Sequence, residues 1–316
     1  MASQPMRIGT RGSPLALWQA RHFADVARAA IPALAADGAL EEHIIATSGD
    51  KVQDKRLADI GGKGLFAKEI HEALLDRRID VAVHSLKDLE TELPPGIVLA
   101  CVLEREDPRD ALILGAGCAA ASADDPLSAL PQGALVGTAS VRRQAQLLHR
   151  RPDLRVEIIR GNVQTRLGRV AAGDFTCSLL ALAGLKRLGM ADRAQVVLEP
   201  DAMLPAACQG IVGITARADD TALLQALAQM EHRPTRIMAD AERALLGSLD
   251  GSCRTPIGAY AGLHADGSVS LTGLVARADG KFLLRKSASA PAHEAAKLGR
   301  TLGDMLRRES PADIVG

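Results

Sequence analysis

The sequence predicts an α/β protein of several βα units that ends in a segment of different character. Over most of its 316 residues, short apolar runs alternate with amphipathic stretches, the pattern of strands that each lead into a helix. A chain of this length exceeds one ordinary core and calls for two or three domains. Beyond Pro234 the pattern changes, and VSLTGLVARADGKFLLRKSAS reads as an antiparallel hairpin turning at Asp279 and Gly280.

In chain order, MRIGT reads as a strand, followed by Ser13 as N-cap and Pro14 at the first position of a helix running to about Ala30. KGLFAKEIHEALLDRR sets Phe66, Ile70, Ala73 and Leu74 on one helical face. It leads into IDVAVHS, where Ile79, Val81 and Val83 alternate as in a strand. ALVGTASVRRQAQLLHR, RVEIIRGNVQTRLGRVAAG and FTCSLLALAGLKRLG repeat the strand-then-helix pattern, and a last helix is expected from about His293.

Composition narrows the function. Lys plus Arg and Asp plus Glu balance at 38 each, so no overall field draws the chain to nucleic acid or an anionic membrane. Aromatics are 2%, too few for a base-stacking platform. The five cysteines, Cys101, Cys118, Cys177, Cys208 and Cys253, are scattered, with no CxxC and no Cys/His zinc spacing, so no metal is expected and a reducing compartment is. The N-terminal MASQPMRIGTRGSP lacks the apolar core of a signal peptide and no run reaches spanning length, so a soluble cytoplasmic protein is expected.

The placement of the arginines points to the ligand. In open α/β sheets ligands bind beyond the carboxyl ends of strands, where helix N-termini offer N–H groups to anions. There the chain places Arg11 with Ser13, Thr138 with Ser140, Arg142 and Arg143, Arg160 with Asn162 and Arg166, and further on Arg187. An isolated arginine is ordinarily a solvated surface charge, but six at successive strand ends imply a site for a ligand with many carboxylates. Phosphate is the competing anion, although neither GxxxxGK[ST] nor a strand-following GxGxxG is present. Asp88 follows the strand of VAVHSLKD, placed either to stabilise a substrate cation or as a capping or surface acid. His84 in the same run reads as a packed, hydrogen-bonded residue. LDGSCRTPIG sets Cys253 among turn formers, where a thiol has little to pack against and can act as a nucleophile, the other reading being a buried structural cysteine.

Nine motifs in register, RIGTRGSPLALWQA, GGKGLFAKE, DVAVHSLKD, EREDPRDA, VGTASVRRQ, RGNVQTRL, LALAGLKRLG, LPAACQG and GSCRTPIG, resemble those of the porphobilinogen deaminases, or hydroxymethylbilane synthases. The resemblance covers nearly the whole chain. It implies two periplasmic-binding-protein-like lobes with a central cleft, plus a small C-terminal α+β domain. Domain 1 would span 1–104 and 211–229, domain 2 105–210 and domain 3 230–316.

It also implies a dipyrromethane cofactor bound by a thioether to Cys253, with porphobilinogen as substrate and a monomeric enzyme of haem biosynthesis. Four porphobilinogen units would be added with loss of ammonia and the linear product released by water. Asp88 matches the family's catalytic aspartate. Arg11, Ser13, Lys63, Phe66, Ser85, Lys87, Thr138, Ser140, Arg142, Arg143, Arg160, Asn162, Arg166, Arg187 and Gln209 match substrate- or cofactor-binding positions. On this reading Arg143→Leu or Arg166→Leu stalls elongation without unfolding the protein. Ser48, Asp59, Glu90, Ala139 and Cys208 depart from the family's usual residues. The reading from a different class is a two-lobed small-anion binding protein without catalysis.

Overall fold

Met6–Thr10 form strand β1, and helix α1 (Pro14–Ala30) starts where Ser13 Oγ accepts the Ala16 N–H at 3.3 Å. Pro14 follows the cap, in the first turn, where its missing N–H removes no bond. The chain continues through β2 (Leu40–Ile44), α2 (Ser48–Lys51), α3 (Lys68–Leu75), β3 (Val81–Ser85) and β4 (Ile97–Val102). Next come β5 (Asp110–Leu114), β6 (Leu135–Gly137), α4 (Val141–Arg150), β7 (Arg155–Glu157), α5 (Val163–Ala171), β8 (Cys177–Ala181), α6 (Leu182–Arg187) and β9 (Val196–Leu198). The rest is β10 (Val212–Arg217), α7 (Thr221–Ala228), α8 (Arg233–Ser248), β11 (Ile257–Leu263), β12 (Ser268–Ala276), β13 (Leu283–Pro291) and α9 (Ala295–Glu309). This computed structural model describes residues 5–51, 67–122, 124–250 and 255–314. Among them no helix is long and apolar enough to cross a membrane.

Two units result, one of residues 5–51, 67–106 and 211–236, the other of 107–122, 124–210, 237–250 and 255–314. The first holds the sheet β2-β1-β3-β10-β4, in which β1 runs parallel to β2 and β3 while β10 is antiparallel to β3 and β4. The second holds β7-β6-β8-β5-β9 with the same polarity, β6 being parallel to β7 and β8 and β5 antiparallel to β8 and β9. In each sheet, therefore, the parallel strands end along one edge, where their following loops gather.

The alternation read in IDVAVHS suggested one buried face, yet β3 is buried from Val81 through His84. Both faces are covered: Val81 and Val83 pack with Ala20, Phe23 and Ala27 of α1, and Ala82 packs with Ile70, Ala73 and Leu74 of α3. The predicted Phe66 lies outside the described residues.

The second unit also contains the antiparallel sheet β11-β12-β13, and Gly280 turns the β12–β13 hairpin at φ +75°. Helices α8 and α9 supply Leu245, Leu298, Leu302 and Leu306 to a core shared with Val269, Leu271 and Val275. They approach so closely that a Cβ at Gly299 would lie 2.2 Å from the Ala241 carbonyl oxygen and 2.8 Å from Ala244 Cβ. Gly299→Ala raises helix propensity by ~1 kcal/mol, but the clash falls on backbone, and overpacking of this kind costs about 1–3 kcal/mol. Urea unfolding should show a net loss of stability; a gain would disprove the close approach of α8 and α9.

Candidate functional site

Parallel pairing of Ile8 with Val81 brings the ends of β1 and β3 together. The residues that follow line a pocket partly open to solvent. Arg11 and Ser13 come from the β1–α1 connection, and Leu15, Ala16 and Gln19 from the first turns of α1. Val83, His84 and Ser85 come from β3, and Asp88 from the 3-10 turn Leu86–Asp88. Arg11, Ser13, Ser85 and Asp88, all expected from sequence, are thus together. Among the described residues the half-buried Asp88 carboxylate forms no ion pair. Lys87 is half-buried in the same turn.

Two wall residues are held by neutral contacts. Gln19, 2% exposed and not anticipated, hydrogen-bonds Ser85 with Nε2 2.9 Å from Oγ. His84 Nε2 lies 2.9 Å from Thr215 Oγ1 across the β3–β10 pair, as a packed and hydrogen-bonded histidine should. Burial, reinforced by His71 and Arg11, lowers the His84 pKa from 6.5 to about 3. The imidazole is therefore neutral near pH 7 and adds no cation to the pocket.

In the second unit the sequence expected Arg142 and Arg143 to face ligand carboxylates; instead, both are buried around Asp110. Ser140 caps α4 by accepting the Arg143 N–H at 3.4 Å, and Thr138 Oγ1 accepts the Ser140 N–H at 3.1 Å. From the first turn, Arg142 Nη2 donates to Asp110 at 2.8 Å and Nη1 to the Leu204 carbonyl at 2.6 Å. Arg143 Nη2 reaches the other Asp110 oxygen at 2.7 Å and Nη1 the Leu179 carbonyl at 2.8 Å. Gln209 Nε2 adds 2.8 Å and 2.7 Å contacts to Asp110 and the Pro108 carbonyl. Asp110 is 0% exposed and the arginines 4% and 5%. Burial pushes the Asp110 carboxyl up, but the two guanidiniums outweigh it and hold it below the usual range. Asp110 was not singled out; its signal was its place in EREDPRDA, a charge opening the apolar run ALIL.

The other predicted residues cluster near α5 and α6. Asn162 caps α5, its Oδ1 accepting the Thr165 N–H at 2.8 Å. Half-buried Arg160 precedes Gly161, whose φ of +104° suits glycine, and Arg166 Nε donates to the Gly161 carbonyl at 3.0 Å. Arg187 Nη2 donates to the Gly210 carbonyl at 2.7 Å. Cys253, Lys63 and Phe66 lie outside the described residues. Of the other cysteines, Cys101 and Cys177 have pKa values pushed up to about 12 by burial, as inert core thiols. Among the described residues no group of three or more His, Cys, Asp or Glu could hold a metal ion.

Two outcomes follow. Arg143→Leu leaves Asp110 to Arg142 and Gln209 but removes a charge-assisted hydrogen bond worth about 1.5–3 kcal/mol and the Leu179 carbonyl's Arg143 donor, so it should lower the denaturation midpoint. This replaces the expectation that it spares the fold; an unchanged midpoint would show that Asp110 does not need it. For His84 the unfolded chain takes a proton near pH 6.5 and the native state only near 3, so stability present above 6.5 is lost as pH falls toward 3. The slope is up to ~1.4 kcal/mol per pH unit, and burial gives His71 the same sign. Urea midpoints measured across that window should flatten in His84→Gln; parallel profiles would contradict a buried neutral His84.

The chain matches the family model "Porphobilinogen deaminase, dipyromethane cofactor binding domain" over residues 6–225 and "Porphobilinogen deaminase, C-terminal domain" over residues 237–308. Similar relatives include the chloroplastic porphobilinogen deaminase of Oryza sativa subsp. japonica, 52% identical over 286 residues, 90% of this chain and 78% of that protein. The porphobilinogen deaminase of Paracoccus denitrificans is 48% identical over 310 residues, 98% of this chain and 96% of that protein. Among solved structures, the Bordetella pertussis BvgS periplasmic VFT2 domain is similar at TM-score 0.41 and 13% identity, covering 73% of this chain and 88% of that one. Family models and relatives agree: the chain belongs to the porphobilinogen deaminase family and contains that family's dipyrromethane cofactor-binding domain.

Proposed function

We propose that this enzyme is a hydroxymethylbilane-forming transferase that condenses four porphobilinogen molecules, with loss of ammonia, onto a dipyrromethane primer and releases the linear product to water. Membership of the family favours this over the non-catalytic anion binder. The observation that carries the residue assignment is the pocket in which Asp88 and Arg11 face one space at the ends of β3 and β1.

The residues of the second unit suit a polyacidic cofactor. Two guanidiniums meet one carboxylate at Asp110, an excess of one positive charge, and buried Arg143 Nε has no acceptor among the described residues. Arg143 through its Nε, together with Arg142, Arg160, Arg166 and Arg187, would hold acetate and propionate groups of the cofactor and of the incoming porphobilinogen, with Cys253 carrying the thioether. Ser140 and Asn162 act by capping the helices that bear these arginines, and Thr138 and Gln209 by fixing Ser140 and Asp110. Lys63, Phe66 and Lys87 keep the binding roles that the resemblance gives them. When bound, the dipyrromethane supplies a pyrrole carbon as the nucleophile for chain growth.

In the pocket, Arg11 takes a substrate carboxylate and Ser13 and Ser85 offer hydroxyls. The Asp88 carboxylate accepts pyrrole N–H groups and balances the positive charge that develops as ammonia leaves. At ~4 Å and an effective dielectric near 20 that attraction is worth roughly 4 kcal/mol, on the order of a thousandfold in rate. Neutral His84 serves the same end, since an imidazolium in this wall would repel the developing cation. We further read the enzyme as a monomer of a reducing, cytoplasmic compartment; thiols at Cys101, Cys118 and Cys177 that form no disulfide support the reducing compartment.

Intact mass spectrometry tests the covalent part: purified protein should exceed its sequence mass by two linked pyrrole units, with the excess on the Cys253 peptide. A bare thiol in active material would overturn the assignment. Asp88→Asn should fold and carry the cofactor but lose most turnover; turnover at the wild-type rate would remove Asp88 from the reaction.

A further inference from the structure

Helix α4, which carries Arg142 and Arg143, is held from the side by the C-terminal sheet of its own unit. At the tip of the β12–β13 hairpin, Gln144 Nε2 donates to the Ala278 carbonyl at 3.0 Å and His149 Nδ1 to the Gly280 carbonyl at 2.8 Å. Gly280 lies against the helix backbone, where a Cβ would come within 2.5 Å of His149 N and 2.6 Å of the Leu148 carbonyl carbon. A second tie runs through Leu204. Arg142 donates to its carbonyl, Gln146 bonds both its N–H and its carbonyl, at 2.7 Å and 3.1 Å, and the next residue, Pro205, accepts the Ala259 N–H of β11 at 3.0 Å. Ala145, Leu204, Leu274 and Ala276 close an apolar cluster between the two ties.

A short helix whose first turn must deliver two guanidiniums to one buried carboxylate tolerates little rotation. Its capping bond from Ser140, at 3.4 Å, is long. The hairpin supplies the restraint that the cap lacks, at the other end of the helix. We propose that the β12–β13 hairpin tip is a positioning latch, in which Gly280 and Gln144 hold α4 so that Arg142 and Arg143 stay in register for acid-bearing ligands. Gly280 and Gln144 touch neither the reacting atoms nor the ligand and act through the two arginines. The latch rests on the reading that these arginines bind ligand carboxylates.

The sheet contains its own control. Gly267, in the β11–β12 turn, has a similar φ, +79° against +75°, but a Cβ there would meet nothing within 4 Å. Gly267→Ala and Gly280→Ala therefore carry the same backbone strain, and only the second pushes on α4. With the cofactor-bearing enzyme and porphobilinogen, Gly280→Ala should raise KM by on the order of tenfold with a smaller change in kcat, because a shift of about 1 Å in a positioned group can cost ~100-fold. Gly267→Ala should leave KM unchanged. Equal KM values in the two variants would overturn the latch. Should Gly280→Ala fail to fold, Gln144→Ala takes its place, and a wild-type KM in that folded variant would overturn the latch equally. Arg143→Lys separates the two ideas, since it keeps the charge but not the fork. A KM unchanged there refutes the carboxylate-binding reading and the latch with it, whereas a KM raised there but not in Gly280→Ala refutes the latch alone.

Discussion

A carboxylate with no exposed surface, Asp110, sets the terms for the second unit. Left unpaired, such a charge is strongly destabilising, and β5 enters the sheet with Arg142, Arg143 and Gln209 all meeting it. Those contacts tie together the start of α4, the loop before β10 and the middle of β8, whose Leu179 carbonyl accepts from Arg143 Nη1. The pairing is unequal, two cations to one anion. The same contacts that hold the fold thus leave an excess positive charge, the one that the proposed binding of carboxylates would use.

The two α/β sheets share one plan, three parallel strands followed by an antiparallel strand brought from elsewhere in the chain, β10 in one and β5 in the other. Three of the parallel strands, β1, β6 and β7, lead into a helix through a turn that sets a capping side chain next to a cation: Ser13 beside Arg11, Ser140 beside Arg142 and Arg143, Asn162 beside Arg160; β8 runs into α6 with no side-chain cap. The cap satisfies the first N–H groups of the helix, and the arginine is presented from a fixed turn rather than from a loose one. Hydroxyl and amide groups that looked like ligand contacts in the sequence therefore have a second employment as caps.

Legibility followed the range of the interactions. Helix α1, with Ser13 and Pro14 at its start, and the β12–β13 hairpin, with its Asp279–Gly280 turn, are written in local chemistry and could be read directly. So could the approach of Arg11, Ser13 and Asp88, because strand ends in this class of sheet mark the ligand side. The short strands β5, β9 and β10 were not legible, since each is defined by partners far away in sequence, as when Val212 pairs with Ser85. Burial of Arg142 and Arg143 was hidden for the same reason: both read as ligand-facing arginines at a strand end until Asp110 is placed against them. Gln19 carried no local signal, because its burial rests on Ser85, distant in sequence. Cys208, one of the departures from the family's usual residues, has φ +62°, the left-handed region that favours glycine.

The central claim is that the excess charge of the Arg142–Arg143–Asp110 group serves the acid groups of the cofactor. A crystal structure of the cofactor-bearing enzyme measures this directly. The account predicts a cofactor carboxylate oxygen within about 3 Å of a guanidinium nitrogen of Arg142 or Arg143, with the Asp110 pairing retained. Cofactor acids held entirely by other residues, with both guanidiniums spent on Asp110 and the Leu179 and Leu204 carbonyls alone, would contradict it.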